Sequence, residues 1–161
     1  MIAAKSYLGK KVAVMGLARS GQSAAEALKA GGAEVIAWDD DVKKCRETAL
    51  LGINISDLTK EDFTNIDALI LSPGIPHSYP KPHVVAKKAK KANTPIIGDI
   101  EIFVKNFIEP RIIGITGTNG KSTTTALVGH ILRCAGLPVE IGGNIGLPVL
   151  GFENTLDAGY Q

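Results

Sequence analysis

One stretch constrains this chain more than any other: Ile112-Ile-Gly-Ile-Thr-Gly-Thr-Asn-Gly-Lys-Ser-Thr-Thr-Thr125. It opens apolar and β-branched, so residues 112–115 predict a buried parallel strand. Gly117 and Gly120 then make a tight turn, and Lys121 and Ser122 open a predicted helix that runs to about Ala135, where Gly136-Leu-Pro138 stops it. Strand, glycine turn, Lys-Ser and helix form the layout of a loop that cradles phosphate. Glycines let the backbone turn sharply and bring bare amides close to an anion. The first helical amides have no intrahelical partner and point at that anion, with the helix dipole behind them. Lys121 brings a point charge to the outer phosphates, and the Ser122 hydroxyl is placed to ligate magnesium. The spacing departs from G-x-x-x-x-G-K-[ST], because position 115 is Ile115 and the glycines are Gly114, Gly117 and Gly120. The alternative is a glycine-rich turn with no ligand. Lys-Ser-Thr at a helix start straight after a β-branched run makes that a narrow coincidence.

Upstream, the chain alternates strands and helices. Residues 11–15 and 34–38 are short apolar strands flanking an alanine-rich helix over 22–30, which Gly31-Gly32 ends. This is the first βαβ unit of a doubly wound sheet. Gly16-Leu-Ala-Arg-Ser-Gly21 between strand and helix is similar to a dinucleotide fingerprint, but Ala18 stands where the central glycine belongs. It fits a nucleotide-diphosphate site and plain turn chemistry equally. Asp39, at the end of the second strand, stands where a ribose or base contact falls, and Asp40 and Asp41 follow it.

A helix is predicted over 42–51, a short edge strand or loop over 52–55, and a polar turn over 57–63 with Asp62 and Asp67 facing solvent. A buried strand over 68–71 ends at Ser72-Pro-Gly-Ile-Pro76. That turn reads as a plain turn or as a ligand edge, since α/β sheets bind ligands at the carboxyl ends of their strands. The helix over 82–92 carries Lys87, Lys88, Lys90 and Lys91, which read as a solvated face. A strand over 95–97 precedes a helix opened by Gly98-Asp-Ile-Glu-Ile-Phe103, with Asp99 as its N-cap. The domain boundary falls there: residues 1–97 make one α/β unit, and 98–161 begin a second. In the second unit, residues 139–141 predict a strand, Gly142-Gly-Asn-Ile-Gly-Leu-Pro148 a second glycine loop, and 156–161 the approach to another strand.

The balance of the 161 residues argues against several functions. A net charge of +2 is too small to imply nucleic acid or a membrane surface, and no apolar run is long enough to span a bilayer. The N-terminus lacks a signal-peptide apolar core. Cys45 and Cys134 are isolated and support neither a disulfide framework nor a metal site. His77, His83 and His130 are widely separated and read as surface residues. A cytoplasmic protein with an ordinary core is the expectation, given 45% hydrophobic and 21% charged residues.

The string Thr116-Gly-Thr-Asn-Gly-Lys-Ser-Thr123 resembles the nucleotide loop of the ATP-dependent Mur ligases and their relatives, the folylpolyglutamate synthetases. Gly16 to Gly21, Trp38-Asp39, Ser72-Pro-Gly-Ile75, Gly98 to Phe103 and Gly142-Gly-Asn-Ile-Gly146 extend the likeness in the same order. The combination of Ser-Pro-Gly-Ile with Gly-Asp-Ile-Glu-x-Phe points to the family member that adds D-glutamate to UDP-N-acetylmuramoyl-L-alanine. The resemblance implies a Rossmann-like domain followed by the start of a P-loop domain, with ATP and Mg2+ as cofactors and those two molecules as substrates. It implies that Gly117, Thr118, Asn119, Gly120, Lys121, Ser122 and Thr123 bind ATP, with Lys121 catalytic and Ser122 on the metal. It places Arg19 and Ser20 at the diphosphate, Asp39 and Asp40 at the uridine end, Ser72 and Gly74 alongside, and Asn144 on the muramoyl or diphosphate part. A monomer without nucleic-acid or membrane partners is expected, and the chain by itself is expected not to complete the reaction. Alternatives are a sibling Mur ligase, a folylpolyglutamate synthetase or a non-catalytic nucleotide-binding module. An NAD-dependent dehydrogenase is disfavoured by Ala18.

Overall fold

The computed structural model describes residues 2–106, 111–143 and 145–152. Five parallel strands form one sheet: β1 (Lys11–Met15), β2 (Glu34–Trp38), β3 (Asn54–Ile55), β4 (Ala68–Leu71) and β5 (Ile96–Ile97), in the order β3-β2-β1-β4-β5. β1 sits at the centre, with Val12 to Met15 registered against both β2 and β4. Its residues 12–15 are buried, as a strand covered on both faces requires. The α/β Rossmann-like expectation for the first unit is therefore met.

Two apolar layers sandwich the sheet. One gathers Val12, Val14, Val35, Ala37 and Ile70 with Ala24, Ala27 and Leu28 of α1 (Arg19–Ala30) and Cys45 of α2 (Val42–Leu50). The other gathers Ala13, Met15, Ile36, Leu69 and Leu71 with Leu58, Phe63 and the Val85, Ala86 and Ala89 face of α3 (Val84–Lys91). Alternation along each strand sends successive side chains to opposite layers.

α1 begins at Arg19, three residues earlier than the sequence predicts. Ala18, in an extended conformation, is its N-cap, and the Gln22 amide bonds the Ala18 carbonyl. Arg19, Ser20 and Gly21 are therefore the first turn of a helix and not loop. α4 (Asp99–Asn106) also differs at its start. The Gly98 carbonyl already accepts from the Ile102 amide at 3.4 Å, so Asp99 stands one residue inside the cap; its Oδ1 still accepts a first-turn amide, that of Ile100 at 3.0 Å, while Glu101 reaches back to accept from the Gly98 amide at 2.7 Å.

α4 packs on the first unit. Ile102 and Phe103 enter its core, and Asn106 bonds Ser6 in the short 3-10 turn Lys5–Tyr7. The 3-10 turn Val149–Gly151 returns to the same place: Leu150 is fully buried, and Phe152 meets Phe103 edge-to-face at 6.1 Å.

The second unit's predicted strands do not form among the described residues. Residues 112–115 pair with no described strand, and Ile112 is 49% and Ile113 60% exposed. A β-branched run becomes a strand when neighbours take up its amides and carbonyls, and no described strand lies beside this one. Residues 139–141 likewise make no strand, leaving a single bridge between Gly142 and Leu147. The helix after the glycine loop does form, as α5 (Lys121–Cys134). The expected strand over 156–161 lies outside the described residues.

Candidate functional site

The sheet's strand order reverses between β1 and β4, and an open α/β sheet binds its ligands beside the carboxyl ends of the strands at such a point. The turn after β1 and the turn after β4 interlock there. Gly16 has φ +90°, and a Cβ on it would stand 2.7 Å from Ile75 and 2.8 Å from Ser72. Ser72 Oγ donates to the Gly16 carbonyl at 2.9 Å. A Cβ on Gly21 would meet the same carbonyl at 1.8 Å. The two glycines thus let the head of α1 settle onto the β1 turn. No side chain caps that helix, so its first amides have no partner within it.

Asp39 closes one side. Its carboxylate accepts from the Leu17 amide at 2.7 Å and the Asp41 amide at 2.9 Å, with Lys44 Nζ 3.4 Å away. Burial pushes its pKa up, but the two amides and the Lys44 ammonium outweigh it and hold the carboxyl below the usual range. The three consecutive acids do not converge. Asp39 points inward, Asp40 pairs with His83 Nε2 at 3.6 Å, and Asp41 caps α2 by accepting from Lys43. His83 is half-buried rather than a plain surface residue, because its Nδ1 caps α3 by accepting from Val85.

Arg19 and Ser20 stand on the first turn of α1, and Arg19 donates to the Gly146 carbonyl at 2.8 Å. Gly74 is exposed with open space around its Cα. Asn144 lies outside the described residues. Beside Ser72, a cleft of about 260 Å3 runs along the ends of β4 and β5 between Ile75, Ile96 and Glu101.

The second glycine turn stands apart and exposed. Gly117 and Gly120 take φ +152° and +76°, and Gly120 is the left-handed N-cap of α5. Thr118, Asn119, Ser122 and Thr123 are exposed around it. The first capping bond of α5 is Thr124 to the Gly120 carbonyl, so the amides of 121–123 have no partner within the helix. Lys121 Nζ donates to the carbonyls of Gly117 and Thr118. Unpaired helical amides, an adjacent ammonium and an exposed hydroxyl at Ser122 are the groups from which an anion or hard-cation contact could be built.

The remaining sequence candidates have local uses. Lys88 donates to the carbonyls of Thr59 and Glu61 and lies over the Phe63 ring. Asp67 accepts from the Lys11 amide, and Asp62 caps a 3-10 turn. Both cysteines are free.

A Rossmann-like α/β unit, with glycine turns at the end of β1 and before α5, is the class that this sheet defines. The comparisons narrow it. Over 160 residues the chain is 49% identical to the UDP-N-acetylmuramoylalanine–D-glutamate ligase of Caulobacter sp. (strain K31), covering 96% of this chain and 34% of the relative. The ligases of the same name from Rhodopseudomonas palustris and Rhizobium meliloti match at 47% and 48%. The likeness to the Mur ligases thus extends over nearly the whole chain, while the chain spans about a third of the length of those curated relatives. No family model matches. Among solved structures, shikimate dehydrogenase from Aquifex aeolicus matches 62% of this chain at 15% identity and a TM-score of 0.47, too partial a likeness to carry an argument. Among the described residues, no helix is long and apolar enough to cross a membrane.

Proposed function

We propose that the chain is the substrate-binding front of a UDP-N-acetylmuramoylalanine–D-glutamate ligase. Residues 1–97 would hold the UDP-sugar, and 98–161 would begin the ATP domain. The observation that carries this reading is the interlock of Gly16, Gly21 and Ser72 beneath the uncapped head of α1, at the switch point of a sheet in a chain 49% identical to such a ligase.

The reaction joins a carboxylate to an amine. The free carboxylate of UDP-N-acetylmuramoyl-L-alanine takes the terminal phosphoryl group of ATP, releasing ADP. The D-glutamate amine then attacks the acyl carbon, an amide bond forms, and phosphate leaves with the electrons of the broken C–O bond. The α1 amides with Arg19 and Ser20 bind the diphosphate. Asp39 holds the Leu17 and Asp41 amides in place, and Asp40 stands at the uridine end with Ser72 and Gly74 alongside. Asn144 would contact the muramoyl or diphosphate part. The amides from Gly117 to Thr123 wrap the ATP phosphates, and Lys121 exchanges the Gly117 and Thr118 carbonyls for a phosphate oxygen. Ser122 would hold magnesium, which when bound neutralises charge on the transferring group.

A soluble, cytoplasmic monomer fits this role. Thermal-shift titration checks it: UDP-N-acetylmuramoyl-L-alanine should raise the melting temperature, and folate should not. A response to folate instead would move the assignment to the sibling enzymes. The 161 residues by themselves should release no phosphate above background with all three substrates, since they span a third of the relatives' length. Turnover would refute that part.

A further inference from the structure

Three turns meet at the carboxyl end of β1, and the links among them close a triangle. Asp39, after β2, accepts from the Leu17 amide of the β1 turn at 2.7 Å, and Ser72, after β4, donates to the Gly16 carbonyl of the same turn at 2.9 Å. The third side runs directly between the outer two. Asp40 Oδ2 lies 3.6 Å from Nε2 of His83, on the segment that follows β4. Because β1 separates β2 from β4 in the sheet, that contact passes across the end of the central strand.

The two partners are held very differently. The His83 side chain is 21% exposed and that of Asp40 73%. The His83 amide donates to the Pro76 carbonyl at 2.9 Å, and its Nδ1 accepts from the Val85 amide at 3.3 Å. An Nδ1 that accepts has no proton, so the neutral ring carries its proton on Nε2, the nitrogen that faces Asp40. The ring is a donor fixed by the fold. It stands beside an exposed carboxylate for which it is the one polar partner among the described residues.

We propose that His83 is a positioning residue for the nucleoside end of the substrate. By fixing Asp40, it aims a carboxylate acceptor at the donors of a nucleoside, which are its ribose hydroxyls and base N–H. The inference rests on the UDP-sugar reading above, with Asp40 at the uridine end. A pair this exposed contributes little to stability, so its consequence is direction. An acceptor already held in one orientation meets its ligand without the ordering cost that a freely turning side chain incurs.

The test titrates the wild-type chain and its variants calorimetrically with UDP-N-acetylmuramoyl-L-alanine. His83→Asn keeps a good helix cap for α3 but is too short to reach Asp40, whereas His83→Gln carries a donor to the neighbourhood of Nε2. His83→Asn should unfold in urea as the wild type does, yet bind about fivefold more weakly, the upper end for an exposed pair. His83→Gln should restore most of that affinity, which a purely structural role for the cap does not foresee. In an Asp40→Ala background, His83→Asn should cost nothing further. Wild-type affinity in His83→Asn, no rescue by His83→Gln, or an equal loss in both backgrounds would each overturn the proposal. One arm needs no ligand: at a pH of about 8, above the ordinary histidine range, the ring-nitrogen chemical shifts of His83 should report the Nε2–H tautomer. The Nδ1–H form would overturn the positioning role whether or not the nucleotide-sugar binds. Absence of wild-type binding, with the Nε2–H form in place, would instead sink the UDP-sugar reading and take the positioning role with it.

Discussion

Asp39 shows how a carboxylate expected to face a ligand can be engaged by the protein's own backbone. Its position after β2 is where a ribose contact is expected, yet both of its oxygens are engaged by the backbone amides of Leu17 and Asp41, in the turns after β1 and β2. Replacing it with alanine leaves the buried Leu17 amide without its acceptor, so Asp39→Ala should lose about 1–3 kcal/mol of unfolding free energy by urea titration. The folded carboxyl titrates below its unfolded value, so its stabilisation is present above that value, about 3.9, and is lost as pH falls through the lower folded one. Wild type should therefore lose stability on acidification from about pH 4 downward, and Asp39→Asn should lose less over that window. A second residue-scale expectation concerns Gly21. A methyl there would overlap the Gly16 carbonyl, so Gly21→Ala should displace the head of α1, lowering stability by about 1–3 kcal/mol and weakening nucleotide-sugar binding with it.

Among the elements, those whose apolar run is bounded by its own stop signals are the most legible. β1, β2 and β4 are short β-branched or apolar runs ended by glycine, acid or Ser-Pro, and each appears where its pattern places it. The Gly16 and Ser72 turns were legible as a candidate ligand edge because strand ends and glycines show in the sequence; their mutual contact did not, since it depends on packing between positions 56 apart. The predicted strand at 112–115 failed for the complementary reason: its pattern encodes burial, but burial needs neighbours, and none is supplied among the described residues. The docking of α4 was also illegible. It depends on Asn106, whose side chain accepts from the Ser6 amide and donates to the Ser6 hydroxyl and the Ile102 carbonyl. Asn106→Ala should release that end of α4 and lower stability by about 1–2 kcal/mol, measured by thermal unfolding with far-ultraviolet dichroism.

At the scale of the whole molecule, the chain leaves the first unit after α4 and comes back to it at Val149–Gly151. Leu150 closes the core against α1 and α4, and the Ile2 amide bonds its carbonyl. Between departure and return lies α5, whose burial is of another kind. Gly129 is its one buried residue, while Leu127 and Ile131 are 56% and 55% exposed. A helix of 14 residues holds weakly in water without packing, because nucleation is costly and propagation gains little per residue. Stability should therefore be divided along the chain. In native-state hydrogen exchange, the amides of β1 and β4 should open only with global unfolding, whereas those of α5 should exchange at least about a hundredfold faster. Leu150→Ala should cost about 2–5 kcal/mol and accelerate exchange in β1, although Leu150 lies beyond α5 in sequence. Acceleration confined to residues 121–151, with β1 unaffected, would show that the returning segment belongs energetically to the nucleotide-loop portion and not to the sheet it touches.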